Sequence, residues 1–253
     1  LDVSTLRELP QGRQPIATHV VSALEQPTFV ERAWARIREE VAKGHQAYIV
    51  APRINATASA DADMDFLFGT TSTELTCVEE LAPMLQTGAL SGLRLAILHG
   101  QLPTEVKDET MRAFSEGKID VLVSTTVIEV GVDVANATVM VIMDADRFGV
   151  SQLHQLRGRV GRGTSPGLCL LITSAVPESA ARLRLEAVAR TLDGFELSRI
   201  DLEQRREGDV LGVNQSGTRS HLRLLRVLRD EDLIIHARDD AQELVNSEPS
   251  LLS

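Results

Sequence analysis

Residues 94–126 read RLAILHGQLPTEVKDETMRAFSEGKIDVLVSTT. Arg94 to Leu98 predicts an apolar strand, Thr104 to Ser115 an amphipathic helix, Asp120 to Val123 a second apolar strand, and a short helix starts near Val127. Neither strand alternates polar with apolar residues, so both of its faces must be covered, as in a parallel sheet with helices on each side. The unit repeats in both directions. Downstream come a strand over Val139 to Met143, a helix over Ser151 to Arg159 and a strand over Leu168 to Ile172. Upstream, Pro15 to Val21 and Ala47 to Val50 read as strands. Between them Phe29, Val30, Ala33, Trp34, Ile37 and Val41 mark a helix over Phe29 to Lys43 that stops at Gly44. Residues 53 to 72, rich in Ala, Asp, Ser and Thr, read as a surface loop, and Thr73 to Gln86 as a helix.

The fold class is therefore α/β, a parallel sheet flanked by helices. Past residue 176 the strands stop: Glu178 to Leu192, Leu197 to Arg206, Ser220 to Arg229 and Glu231 to Val245 read as helices. They are broken at Asp193-Gly194, Gly208, Gly212 and Gly217. The expected organisation is a linker over 1–14, an α/β domain over 15–176 and a helical region with a tail over 177–253. The chain begins at Leu1 rather than Met, which reads as a fragment lacking an upstream part. Ligands of such sheets bind beyond the carboxyl ends of the strands, which directs attention to the loops after Leu98, Val123 and Met143.

Hydrophobic residues make up 43% and charged residues 25% of the 253, ordinary usage for a globular chain. No run approaches about 18 apolar residues and no leader pattern opens the chain, so a cytoplasmic location and no membrane partner are expected. Cys77 and Cys169 are too far apart for a zinc knuckle, and Cys169 reads as a small buried hydrophobe; no metal site is expected. The net charge of −10 argues against coating nucleic acid by bulk electrostatics. Its distribution is uneven. Residues 54 to 80 hold six acids and no base, and residues 230 to 253 hold seven acids against Arg238 alone, whereas Arg199 to Arg229 contains seven arginines against four acids.

Two segments carry candidate chemistry. QLHQLRGRVGRG, Gln152 to Gly163, places Gln155, Arg159 and Arg162 at spacings of four and three, one face of a continuous helix. Gly158 and Gly161 would weaken that helix by roughly 1 kcal/mol each, so a backbone or ligand should approach closely there. Convergent arginines suit stabilisation of charge on a transferring γ-phosphoryl group; a solvated Arg-rich helix is the plainer alternative. The second segment, STTVIEVGVDV, Ser124 to Val134, follows a buried strand. Thr125 and Thr126 could contact phosphate or sugar oxygens, although helix capping would also explain them. Gly131 permits an unusual turn before Asp133, which could accept from a ribose hydroxyl. His99 and His154 lie near these segments, and each could touch ligand or serve a structural hydrogen bond.

In this order the two segments resemble motifs V and VI of superfamily 2 helicases, with LHGQLP (Leu98 to Pro103) in place of the preceding motif that opens the nucleic-acid track. The resemblance implies a RecA-like second motor domain. It matches Arg159 and Arg162 to the arginines that reach ATP across the cleft, Gln155 to the coupling position, Thr125 to a DNA-contacting threonine and Asp133 to a nucleotide-contacting aspartate. TLDGFELSRIDLEQRREGDVLGVNQSG, Thr191 to Gly217, resembles the translocation element shared by the RecG family of fork-remodelling helicases and the transcription-repair coupling factors. Arg205 and Gln215 fall on its characteristic positions, although Arg206-Glu207-Gly208 stands where the family usually has Gly-Pro-Gly. Ser4 to Thr18 resembles the RecG-family linker, so the likeness covers nearly the whole chain.

Neither a GxxxxGK[ST] phosphate loop nor a DExH-like acidic pair occurs. ATP and Mg²⁺ would then be held mainly by a missing upstream domain, and the chain is expected to show no ATPase activity alone. The implied partners are branched or duplex DNA such as stalled forks and Holliday junctions, and the upstream motor and wedge domains of the same protein. Single-strand-binding protein is a further candidate, and the protein is expected to act as a monomer. Two other readings are the corresponding half of a transcription-repair coupling factor and a non-enzymatic RecA-like binding module. The linker disfavours the former, and the intact Gln155, Arg159 and Arg162 disfavour the latter.

Overall fold

In the computed structural model the alternation becomes six strands: β1 (Ile16–Ser22), β2 (Gln46–Val50), β3 (Leu95–Leu98), β4 (Val121–Ser124), β5 (Ala137–Ile142) and β6 (Gly167–Thr173). The structure describes residues 16–55, 75–126, 134–194, 196, 197, 236 and 240. The strands form one sheet in the order β1-β6-β5-β2-β4-β3, and every pairing is parallel. The helices are α1 (Pro27–Ala42), α2 (Val78–Thr87), α3 (Thr104–Ser115), α4 (Val150–Arg157) and α5 (Ala180–Arg190), with a 3₁₀ turn at Ala145–Arg147.

Successive strand residues point to opposite faces, and both faces are covered. Ala47, Ile49, Val121, Val123, Val139 and Val141 pack with Ala33, Trp34 and Ile37 of α1 and Leu81 and Leu85 of α2. The alternate residues Tyr48, Leu122, Met140, Ile142 and Leu171 pack with Phe114, Leu153, Leu156, Leu185 and Val188. This two-sided burial is why the strands read as unbroken apolar runs. Cys169 is fully buried, and burial pushes its thiol up to about 12, in keeping with its reading as a small hydrophobe.

Among the described elements one boundary differs from the sequence reading by more than two residues, for a tertiary reason. The helix expected from Thr73 starts at Val78. Cys77 is drawn into a parallel bridge with Arg53, and the amides of Val78 and Glu79 donate to the carbonyls of Arg53 and Ile54, so a neighbouring segment satisfies the first turn. The helix expected over Glu178 to Leu192 is α5, and it shares the core of the α/β domain through Leu185 and Val188. The chain divides into compact units Leu1–Asp201 and Leu202–Ser253.

Glu40 is a buried acid in the last turn of α1, where the helix dipole disfavours a negative charge. Burial alone would raise its pKa. That effect is outweighed by hydrogen bonds from Lys43 (2.8 Å), His45 (2.7 Å) and Thr138 (3.0 Å) and by the charge of Arg36, which together hold the carboxyl at about 2. A depressed carboxyl pKa contributes stability that is present above its ordinary 4.5 and lost as the pH falls toward 2. Glu40→Gln should therefore cost about 2 kcal/mol at pH 7, or roughly 5 °C in Tm. Its Tm should also fall less steeply than the parent's between those pH values. Parallel melting curves would refute this.

Candidate functional site

Because all six strands are parallel, their carboxyl ends lie on one edge of the sheet and their amino ends on the other. The candidate residues are divided between the two. His99 directly follows β3 and Thr125 directly follows β4, on the carboxyl edge. Leu98 pairs with Ser124, and the amide of Thr125 donates to the Leu98 carbonyl at 3.2 Å, so the two segments leave the sheet side by side. His99 and Thr125 are buried, and Thr126 is half-buried. One ring nitrogen of His99 lies 3.7 Å from a Glu79 carboxylate oxygen, while His99 Nδ1 and Ser124 Oγ are buried without a hydrogen-bond partner among the described residues. Unmatched buried polar atoms at a sheet edge call for a water or a ligand group.

The arginine segment lies on the opposite edge. α4 starts after the carboxyl end of β5 and runs back along the sheet, but it ends at Arg157 with Gly158 as its cap. The shared helical face expected for Gln155, Arg159 and Arg162 therefore does not form, because Gly158 and Gly161 release the chain from the helix. Gly161 adopts φ +69°, and its amide donates to the carbonyl of Ala137, the first residue of β5. A Cβ at Gly161 would sit 3.0 Å from Ile16 and 3.3 Å from the Gly167 nitrogen, at the first residues of β1 and β6. The close approach inferred at Gly161 is real, and the approaching group is the chain itself. At Gly163 a Cβ would lie 2.5 Å from the Ala135 carbonyl oxygen.

Arg162 is thus presented by an arch fixed on either side by a glycine with no room for a side chain. Its Nε donates to the Gly158 carbonyl at 2.6 Å. Arg159 and Arg162 are both half-buried, and the turn brings them into range of one phenol. Burial pushes Tyr48 up to about 12, with the positive charges of Arg159 and Arg162 both opposing that rise.

Gln155 is exposed on α4 and lines a groove with Ser151, His154, Gly194 and Leu197, away from the arginine arch. His154 has a structural hydrogen bond, since its Nδ1 accepts from Arg157 at 2.9 Å. Gly131, Asp133, Arg205 and Gln215 lie outside the described residues, as does the short helix expected at Val127. Among the described residues, no group of three or more His, Cys, Asp or Glu could hold a metal ion, and no helix is long and apolar enough to cross a membrane.

Sequence reasoning did not single out Arg157, which is 2% exposed. Its guanidinium donates to the carbonyls of Val188 (2.6 Å) and Thr191 (2.8 Å), capping the carboxyl end of α5 from a neighbouring helix. Nothing local distinguishes Arg157 from Arg159 in RGR; only packing does. Glu40 did leave a trace in sequence, as an acid at the wrong end of a helix.

The helicase conserved C-terminal domain matches residues 32–164, and the ATP-dependent DNA helicase RecG domain 3 C-terminal family matches residues 191–253. The chain is 54% identical over 239 residues to an ATP-dependent DNA helicase RecG of Mycobacterium tuberculosis, covering 94% of this chain and 32% of that protein. It is 41% identical over 251 residues to the RecG of a Synechocystis species, covering 99% of this chain and 28% of the other. A solved structure of RecG bound to a three-way DNA junction matches at 36% identity and a TM-score of 0.62, covering 89% of this chain and 26% of that one. The chain spans about a third of the length of the curated relatives it matches.

Proposed function

Because the chain belongs to the helicase conserved C-terminal domain family, we propose that it is the carboxyl-terminal part of a RecG-type protein, the second motor half of an ATP-dependent DNA helicase that remodels branched DNA. The observation that carries this reading is the glycine-fixed arch presenting Arg162, beside Arg159, on the amino edge of the sheet. Two guanidiniums held against a rigid backbone can meet charge developing on a phosphoryl group without reorganising.

The opposite edge, with His99, Thr125 and Thr126, is the proposed DNA face. α4 runs between the edges, so movement of either proposed ligand is transmitted along a covalently continuous element. Gly131 and Asp133 are proposed nucleotide contacts. Gln155 is proposed to couple the cleft to the neighbouring 193–197 segment, and Arg205 and Gln215 to act in translocation. The phosphate loop and the acids for Mg²⁺ would come from an upstream motor domain, the fork contact from an upstream wedge domain. The acidic stretch over 230–253 is a candidate contact for single-strand-binding protein. The reading supposes a monomer.

The test is ATP hydrolysis by this chain alone and mixed with a separately expressed RecG-type first motor domain, with and without a synthetic fork. No turnover alone and fork-dependent turnover on mixing are expected. Turnover by the chain itself would reveal a phosphate site of its own and end the half-motor reading.

A further inference from the structure

The loop between α1 and β2 bridges the two loops that the proposed function assigns to nucleotide. Glu40 is ionised and accepts hydrogen bonds only, so His45 Nδ1 donates to it at 2.7 Å. That fixes the ring and leaves Nε2 to accept from the Ser165 hydroxyl at 3.2 Å. Ser165 is three residues past Arg162. On either side of His45 the backbone holds Asn136, three residues past Asp133: Asn136 Nδ2 donates to the Gly44 carbonyl at 2.8 Å, and the Gln46 amide donates to the Asn136 carbonyl at 3.1 Å. Gln46 in turn donates to the carbonyls of Phe114 and Ile119 beneath it. Gly163 rests on Ala135, so the two loops also touch directly.

We propose that His45 is a positioning residue for nucleotide turnover, clamped by Glu40 at one nitrogen and by Ser165 at the other, so that one buried carboxylate sets the register of the Arg162 arch against the loop that ends at Asn136. The Glu40 cluster contains more donors than a surface turn needs. Arg36 and Lys43 already compensate its charge at 3.0 and 2.8 Å, which leaves the His45 bond as the one that reaches outward to Ser165. The inference rests on the reading that Arg162 serves ATP turnover.

The test uses a full-length helicase carrying this chain behind its first motor domain. His45→Ala should lower kcat for fork-stimulated ATP hydrolysis about 10-fold with KM for ATP within about twofold, because a displaced arginine weakens the transition state more than the ground state. His45→Asn keeps the donor to Glu40 but stops short of Ser165 and should lose as much. His45→Gln, whose amide reaches toward Ser165, should recover to within about threefold of the parent. Ser165→Ala, which deletes one hydroxyl from a half-buried position, should lose kcat about fivefold with Tm unmoved. Adding His45→Ala to Arg162→Ala should lower turnover no further.

Full kcat in Ser165→Ala, or rescue by Asn rather than Gln, would overturn the proposal, because a purely stabilising His45 needs only its bond to Glu40. Unchanged turnover in Arg162→Ala would instead remove the parent reading. Inactive Arg162→Ala beside fully active His45 and Ser165 variants would remove this inference alone.

Discussion

Arg162→Ala in the full-length helicase should lower fork-stimulated ATP turnover by about 10³-fold, with the loss falling on kcat and the KM for ATP moving by less than about 10-fold. Arg162 is held in a backbone that has no freedom to compensate: Gly161 is committed to φ +69° and faces Ile16 and Gly167, and Gly163 is committed to Ala135. A neighbouring side chain cannot be moved into the vacated place without shifting β1, β5 and β6. Arg162→Lys should recover only part of the rate, since an ammonium lacks the planar fork that spans two phosphoryl oxygens. The fold should be nearly indifferent. Arg162 is half-buried, and its Nε bond to Gly158 contributes about 1 kcal/mol, so Tm should fall by no more than about 4 °C. The check is steady-state ATPase against ATP concentration, with fork binding and melting measured on the same preparation. Wild-type turnover would mean that the arch does not reach the phosphate.

Arg157→Ala should do the reverse, removing stability rather than a chemical group. Arg157 is 2% exposed, and its charge is met by two backbone carbonyls and one imidazole nitrogen. Burial lowers its pKa without neutralising it. Truncation leaves the Val188 and Thr191 carbonyls without this donor and opens a cavity between α4 and α5. Together these should cost about 4 kcal/mol, on the order of 10 °C in Tm. Arg157→Met separates the two terms: it refills most of the volume but donates nothing, so about half of the loss should remain. A methionine variant as stable as the parent would show that packing, not the cap on α5, is what Arg157 contributes. Two arginines two residues apart in RGR are thus expected to fail differently, one through the fold and the other, Arg159, through the site.

The sheet was legible before the structure because its strands are buried on both faces. Ala47 to Val50, Val121 to Val123 and Leu168 to Ile172 are apolar runs for a reason that acts residue by residue. The helix over Thr104 to Ser115 was legible to the residue, since Pro103 and Gly117 bracket it locally. The start of α2 was not, because its first amides are satisfied by Arg53 and Ile54, more than twenty residues earlier. Among the candidate residues, Arg159 and Arg162 were selected by type and spacing.

Their arrangement was a different matter. Helical spacing placed Gln155, Arg159 and Arg162 on one face; the structure ends α4 at Arg157, leaves Gln155 beside Gly194 and gathers the arginines by a glycine turn. Sequence by itself determined the alternation of elements, the two-sided core and the residue types available for chemistry, because periodicity and local propensity act over a few neighbours. Tertiary structure alone decided which edge each residue occupies, which of two nearby arginines is buried, and that Glu40, His45 and Ser165 meet. Those outcomes depend on contacts between segments as much as 120 residues apart, and no local pattern encodes a distance across the sheet.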